Sequence, residues 1–301
     1  MIASIKSNEL KRNRFHIARI MQINVFGCPL LSSNQFEKAI KTTPQATYAE
    51  AEQNEHDSCG IWLTASLINH ACKPNAYRSF IGDAMILRAT RDINEGEEIK
   101  IDYVNAAMLS VKERKEKMKN WGFECQCELC KAEVQIPQNT LKKRAALIED
   151  LKRVFGTAIL HCVDNAAFVE NSLRVIKKLE DTYPRTILGK LPRTTLTDPY
   201  LALSQAMMVS RNYSAAAALA TYALGALGFA ISNVGEKIDV DRTNAIVQNC
   251  SVDAFVQLAL AEHNMSHTLA ALRFFEEAAL CYQVVVGEQD TFKKRTTMRG
   301  R

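Results

Sequence analysis

The 301-residue sequence predicts an α+β protein in two parts, short strands up to about residue 135 and an all-α part over 136–301. Three observations carry this reading. Short β-type runs alternate with turn residues before Ile136-Pro137-Gln138. All of the nine cysteines but Cys162, Cys250 and Cys281 lie in that front part. After residue 138 the apolar residues recur with helical period almost to the end. With 47% hydrophobic and 24% charged positions the chain has an ordinary globular composition, which excludes a disordered tail, a collagen and a coiled-coil rod.

In chain order, Tyr77 to Ile81 and Ala84 to Ala89 flank Gly82-Asp83 and read as a tight hairpin, because glycine can take the positive φ such a turn requires. A second turn at Asn94-Glu95-Gly96-Glu97 leads into a short strand, Ile99-Lys100-Ile101. Val111 to Trp121 reads as a helix with charges on most faces. Pro184, Pro192 and Pro199 punctuate the helical part, and Ser214 is the predicted N-cap of the Ala-rich run Ala215 to Ile231. That run carries Thr221 and Tyr222 and falls short of the about 20 strongly apolar residues a bilayer needs, so it reads as a packed helix. Leu269, Leu272, Phe275, Ala279, Tyr282 and Val286 step by three and four residues and predict the buried stripe of a last helix. Helices at this spacing suggest antiparallel pairs, as in helical-repeat arrays, although no repeat of fixed period is visible.

The net charge of +5 gathers at the ends: residues 1–20 hold five Lys/Arg against Glu9, residues 293–301 hold five with no acid, and the middle is left at −4. The termini read as solvated ends, and with no aromatic interleaving direct nucleic-acid contact is not expected. The first twenty residues have no long apolar core, so export is not expected either. The expected location is nucleus and/or cytoplasm, with no membrane partner and with cysteines reduced unless something binds them.

Two clusters carry chemistry. Cys125, Cys127 and Cys130 form C-x-C-x-x-C just after Trp121-Gly122-Phe123. Three thiols within six residues can converge on one ion, and a closed zinc site wants four N/S ligands. The candidates for the fourth are Cys72, Cys59, Cys28 and the histidines. The second cluster is Asn69-His70-Ala71-Cys72-Lys73-Pro74-Asn75, followed within about sixty residues by the hairpin, Gly96-Glu97-Glu98-Ile99-Lys100-Ile101-Asp102-Tyr103, a helix and the cysteines.

That ordered series, over about residues 17 to 131, resembles the SET domain of protein-lysine methyltransferases with a post-SET zinc segment. The N-H-S-C-x-P-N motif matches at Asn69 to Asn75 apart from Ala71, and G-E-E-L-x-x-D-Y matches at Gly96 to Tyr103 apart from Ile99. The arrangement looks most like the SET and MYND-finger subfamily and its relatives bearing tetratricopeptide repeats, and Asn24-Val25-Phe26 resembles the N-x-F element of that subfamily. The resemblance implies a partial SET-domain β-fold followed by a tetratricopeptide-like helical domain. It also implies S-adenosyl-L-methionine and zinc as cofactors and a protein or peptide lysine as substrate, histone tails included. By the same resemblance Asn24, Asn69, His70 (through its backbone), Tyr103 and Phe123 meet the cofactor. Tyr103 orients the amine as the catalytic tyrosine, and Cys72 joins Cys125, Cys127 and Cys130 on the metal. The family's Gly-x-Gly cofactor turn and the twin clusters of a MYND finger have no match, so the chain is expected to hold the C-terminal portion of a SET domain. Two functions stay open: a SAM-dependent protein-lysine N-methyltransferase, and a non-catalytic zinc-stabilised scaffold for protein–protein interaction.

Overall fold

The front of the molecule is built from ladders too short to stand alone, tied by side-chain hydrogen bonds. The computed structural model describes residues 19–21, 24–28, 58–81, 84–106, 109–158, 166–234 and 237–287. Strand β1 (Phe26–Cys28) pairs antiparallel with β2 (Ser58–Gly60). Strand β4 (Ala76–Ile81) pairs antiparallel with β5 (Ala84–Ala89) from Ala76↔Ala89 to Ile81↔Ala84, the two strands read from the sequence, whose Gly82-Asp83 turn lies outside the described residues. Between them β3 (Asn69–His70) runs parallel to β6 (Lys100–Ile101), with His70 opposite Ile101. The turn before β6 forms as expected, with Glu97 N–H donating to Asn94 O at 3.0 Å and Gly96 at φ +79°.

A parallel pair two residues long has little stability of its own. Buried Asn75 holds it. Its Oδ1 accepts from Lys100 N–H at 2.8 Å, and its Nδ2 donates to Glu97 Oε1 and to Glu98 O, both at 3.0 Å. Among the described residues no further strand pairs with β3 or β6, and a side-chain amide takes that place.

Helix α1 (Val111–Met118) starts at a capping box in which Ser110 and Glu113 satisfy each other's backbone N–H groups. A 3₁₀ turn, Lys119–Trp121, follows and ends at Gly122, whose φ of +74° reverses the chain toward the cysteines. Next come α2 (Glu128–Val134), α3 (Gln138–Ala158), α4 (Ala166–Glu180), the short α5 (Arg185–Leu188), α6 (Thr197–Val209) and α7 (Tyr213–Ala226). Helices α8 (Asn249–Asn264) and α9 (Thr268–Val285) close the described chain. Helices α6 to α9 pack each on the next, and where three residues join two of them the pair runs antiparallel. Among the described residues no helix is long and apolar enough to cross a membrane.

Four expectations need correction. The second part is not all-α: an antiparallel hairpin, β7 (Ala230–Val234) with β8 (Lys237–Asp241), is inserted between α7 and α8. The Ala-rich helix accordingly stops at Ala226 rather than running to Ile231. It stops because Gly228 sits at φ +94°, where a Cβ would lie 2.3 Å from Asn244 O, so that the chain must turn under the loop after β8. The N-cap of α7 is Asn212, whose side chain accepts from Ala215 N–H at 3.2 Å, and Ser214 is already helical. The buried stripe of α9 is Ala271, Phe274, Ala278, Cys281, Tyr282 and Val285, whereas Leu269 and Leu272 are 80% and 56% exposed. Small Ala271 and Ala278 let α9 approach α8, which buries Ala254 and Ala261, more closely than leucines would.

One buried apolar cluster runs from Cys72 and Val104 through the helices to Val285. Polar links cross the same junction. Lys73 Nζ lies 3.1 Å from Asn244 Oδ1 and 2.9 Å from Glu128 Oε2, and Arg88 donates to Gly287 O at 3.4 Å. Below them, buried Glu133 of α2 is paired with Arg114 of α1 and lies 3.7 Å from the Arg144 guanidinium of α3.

Candidate functional site

The β3–β6 pairing brings the Asn-His loop and the Asp-Tyr segment side by side, and the backbone after β6 is then shaped by Asp102. Its carboxylate accepts from Val104 N–H at 2.9 Å and from Ala106 N–H, folding the chain back toward α1. Burial pushes the Asp102 carboxyl above its ordinary pKa, and those two amides oppose the shift. Arg78 of β4 donates to Asp102 O and lies over the Phe26 ring at 5.6 Å, so β1 is tied to the same corner.

Tyr103 is half-buried. Its backbone N–H donates to His70 Nδ1 at 3.1 Å, and its hydroxyl donates to Ile68 O. Burial pushes the phenol above its ordinary value, so the hydroxyl is protonated and a donor at neutral pH. The ring lies 5.3 Å from His70, 5.4 Å from Trp121 and 6.5 Å, edge-on, from Phe123, and Phe123 is itself 6.2 Å from His70. Phe123 leaves 38% of its surface exposed at the mouth of this aromatic group. The structure thus gathers His70, Tyr103 and Phe123.

Asn69 adjoins them on β3, but it is exposed and its Nδ2 donates to Glu98 Oε1 at 2.6 Å. That bond and Lys100 hold the Glu98 carboxyl below its ordinary value. Asn24 stands apart: its Nδ2 donates to Ile20 O at 2.9 Å.

On the far side of His70 the Cys72, Cys125, Cys127 and Cys130 sulfurs all lie within 4.8 Å of one another. Gly122 turns the chain toward Cys72, Cys127 is the N-cap of α2, and buried Leu129 anchors that helix beneath the sulfurs. Cys72 Sγ is 3.5 Å from Cys130 Sγ and 3.9 Å from Cys125 Sγ. A tetrahedral ion with metal–sulfur bonds of about 2.3 Å separates its sulfurs by about 3.8 Å, so the donor set fits zinc in chemistry and spacing. Without a cation the thiols can only share protons. Hydrogen bonds from Cys125, then from Cys127 and Cys130, with burial added, push the Cys72 thiol far up, while Cys125, bonded to Cys127, Cys130 and Cys72, is held far down. Four thiolates at once need a positive ion among them. Of the other candidate ligands, Cys59 is exposed and is not part of this group, and the Cys28 side chain lies outside the described residues.

Sequence reading missed four contributors. Arg78 and the Ile68 carbonyl carry no motif signal, and Glu98 lies in the Gly96 to Tyr103 motif without any sign of its bond to Asn69, since each role depends on pairing across the fold. Trp121 had one, an aromatic directly before the cysteine segment.

Residues 4–104 match the family described as the SET domain. A protein of Gibberella zeae described as a methyltransferase is 30% identical over 287 residues, 92% of this chain and 38% of the relative. The histone-lysine N-methyltransferase SMYD3 of Homo sapiens is 39% identical over 87 residues, 29% of this chain and 20% of the relative. A SET and MYND domain-containing protein of Dictyostelium discoideum is 31% identical over 137 residues, 44% of this chain and 37% of the relative. The chain therefore spans less than two fifths of the length of these relatives.

Proposed function

We infer, for a chain that belongs to the SET-domain family of protein-lysine methyltransferases, that it serves transfer of a methyl group from S-adenosyl-L-methionine to the ε-amine of a lysine in a protein or peptide. The single observation that carries this reading is the junction of His70 with Tyr103, which sets a protonated phenol inside a ring of aromatic side chains. When bound, S-adenosyl-L-methionine supplies an electrophilic methyl group on a sulfonium. The amine lone pair would form the new C–N bond as the C–S bond breaks, and the proton of the N-methyl ammonium would pass to solvent. The residues contribute position and exclusion of water. Asn69 and the His70 backbone would hold the cofactor, the open Phe123 face would cover it, and Asn24 would add a weaker contact. The Tyr103 hydroxyl orients the amine, and the rings of Trp121 and Phe123 keep water from it.

Zinc on Cys72, Cys125, Cys127 and Cys130 fastens the post-SET segment to the Asn-His loop. The division at about residue 135, the tetratricopeptide-like character of the helices that follow, and a nuclear or cytoplasmic site of action belong to the same proposal. Histone tails fall within the substrate class, and the net −4 of residues 21–292 suits a basic peptide.

The scaffold reading has one observation in its favour: the Asn69 amide and the Tyr103 hydroxyl already bond within the chain. Titration calorimetry of the 301-residue protein with S-adenosyl-L-methionine separates the two. Micromolar binding, followed by methyl transfer to a lysine peptide that Tyr103→Phe slows by about 100-fold or more, is expected. A folded, zinc-loaded protein with no binding at millimolar cofactor would leave the scaffold.

A further inference from the structure

We propose that His70 is a positioning residue that ties the four-cysteine centre to the Tyr103 site, its Nε2–H donating to the Cys72 sulfur while its Nδ1 accepts the Tyr103 backbone N–H. The proposal rests on the zinc and methyl-transfer reading and adds to it the part that transmits one site to the other.

The assignment follows from donor counting. A backbone amide can only donate, so the 3.1 Å contact from Tyr103 N to His70 Nδ1 requires a lone pair on Nδ1. A neutral imidazole with a lone pair on Nδ1 carries its hydrogen on Nε2. Nε2 faces Cys72 Sγ at 3.3 Å. The His70 side chain is fully buried, so both nitrogens are committed to the protein. The neighbouring carboxylate does not compete: Asp102 Oδ1 is 3.7 Å from Nδ1 and already accepts from Val104 N–H.

A thiolate is the acceptor this N–H suits best. Four thiolates on one zinc ion carry a net charge of about −2, and hydrogen bonds from outside the ligand set both spread that charge and orient the ligands. His70 therefore stands outside the metal in the place usually taken by a partner of a ligating histidine. Its ring is pinned at one edge to a ligand and at the other to the backbone of the tyrosine. The rigid imidazole then makes the position of the Cys72 sulfur a determinant of where the Tyr103 ring, 5.3 Å from the His70 ring, is held.

Two substitutions split the two bonds. In His70→Asn the amide reaches the Nδ1 position and can accept from Tyr103 but falls short of Cys72. In His70→Gln the terminal NH₂ approaches the Nε2 position and can donate to Cys72, with no acceptor left for Tyr103 N–H. The readouts are zinc content by elemental analysis, the rate of zinc transfer to a chromogenic chelator, the thiolate-to-metal absorption band of the cobalt(II)-substituted protein, and kcat for methyl transfer. His70→Asn is expected to speed zinc transfer by about 10-fold or more and to shift the cobalt band. His70→Gln should keep the wild-type zinc rate and cobalt band while kcat falls by about 10-fold or more.

Wild-type zinc transfer and an unmoved cobalt band in His70→Asn would overturn the proposal whatever the activity shows. Unchanged kcat in His70→Gln, in a wild type that is active, would overturn the limb to Tyr103. A wild type that holds zinc but transfers no methyl group would refute the enzymatic reading alone, because the metal readouts still decide the Cys72 bond. A wild type without zinc would remove both.

Discussion

The buried Arg114–Glu133–Arg144 cluster gives the sharpest stability prediction. Glu133 is 5% exposed, and the Arg114 and Arg144 guanidinium groups beside it are equally hidden from water. Glu133→Ala would leave two cations without their shared anion, a change that costs about 3–5 kcal/mol. The loss falls unevenly. Arg144 keeps hydrogen bonds to Thr182 Oγ1 and Thr182 O and a place 3.6 Å over the Tyr183 ring. Arg114 keeps the Leu109 carbonyl at 3.0 Å, and its Nε has no hydrogen-bond partner among the described residues. Burial already lowers the Arg144 pKa, which marks the site as one that resists unpaired charge. At about 2–4 °C per kcal/mol for a domain of 150–250 residues, the thermal midpoint should fall by about 6–20 °C. The assay is a urea titration followed by circular dichroism, with Glu133→Gln as the isosteric control. Replacing Arg114 by Met, Glu133 by Leu and Arg144 by Met together should be close to neutral, because no charge is then left unpaired. A Glu133→Ala loss below about 1 kcal/mol is the value of an exposed pair and would refute the reasoning.

The remaining predictions concern the metal, the acid limb and one glycine. Cys127→Ala should reduce the zinc content of the purified protein and loosen the front part, and unchanged zinc by elemental analysis would contradict the ligand set. Arg91, then Asn75, hold the Glu97 carboxyl down to about 2, so its contribution to stability is present above the ordinary carboxylate value of 4.5 and is lost as pH falls toward 2. The melting temperatures of wild type and Glu97→Gln should therefore converge over that window, and a constant difference would contradict the shift. Gly228→Ala should cost at least about 1–2 kcal/mol from the left-handed backbone alone, before the contact with Asn244 O is counted. A melting temperature equal to wild type would show that the loop after β8 can simply move.

What the sequence made legible was local. The turn at Gly96, the spacing of Cys125, Cys127 and Cys130, and the charges on most faces of α1 each reflect chemistry within a few residues. The pairing of β3 with β6 is not of that kind: two residues on each side carry no periodicity, and the pair depends on Asn75 reaching across. Apolar residues occur on several faces of α9, so its own pattern does not fix its phase, and the buried face is the one carrying Ala271, Phe274, Ala278 and Cys281. The hairpin after α7 did leave a signal. Ile231, Ile238 and Val240 alternate with Ser232, Asp239 and Asp241, a period of two that the Ala-rich run before it concealed. The convergence of the four cysteines was legible by resemblance, but the contacts of His70 with Cys72 and with the Tyr103 backbone required the fold.

Lys73, between a candidate metal ligand and Pro74, reaches both Glu128 of α2 and Asn244 beyond β8, above an apolar interior shared by both parts. This makes the helical part a poor cassette for exchange. A chimera that grafts a foreign helical array after residue 136 would have to rebuild the partner of Lys73 and the floor beneath Val104 and Met118. A change in either part is therefore expected to need matching substitutions in the other.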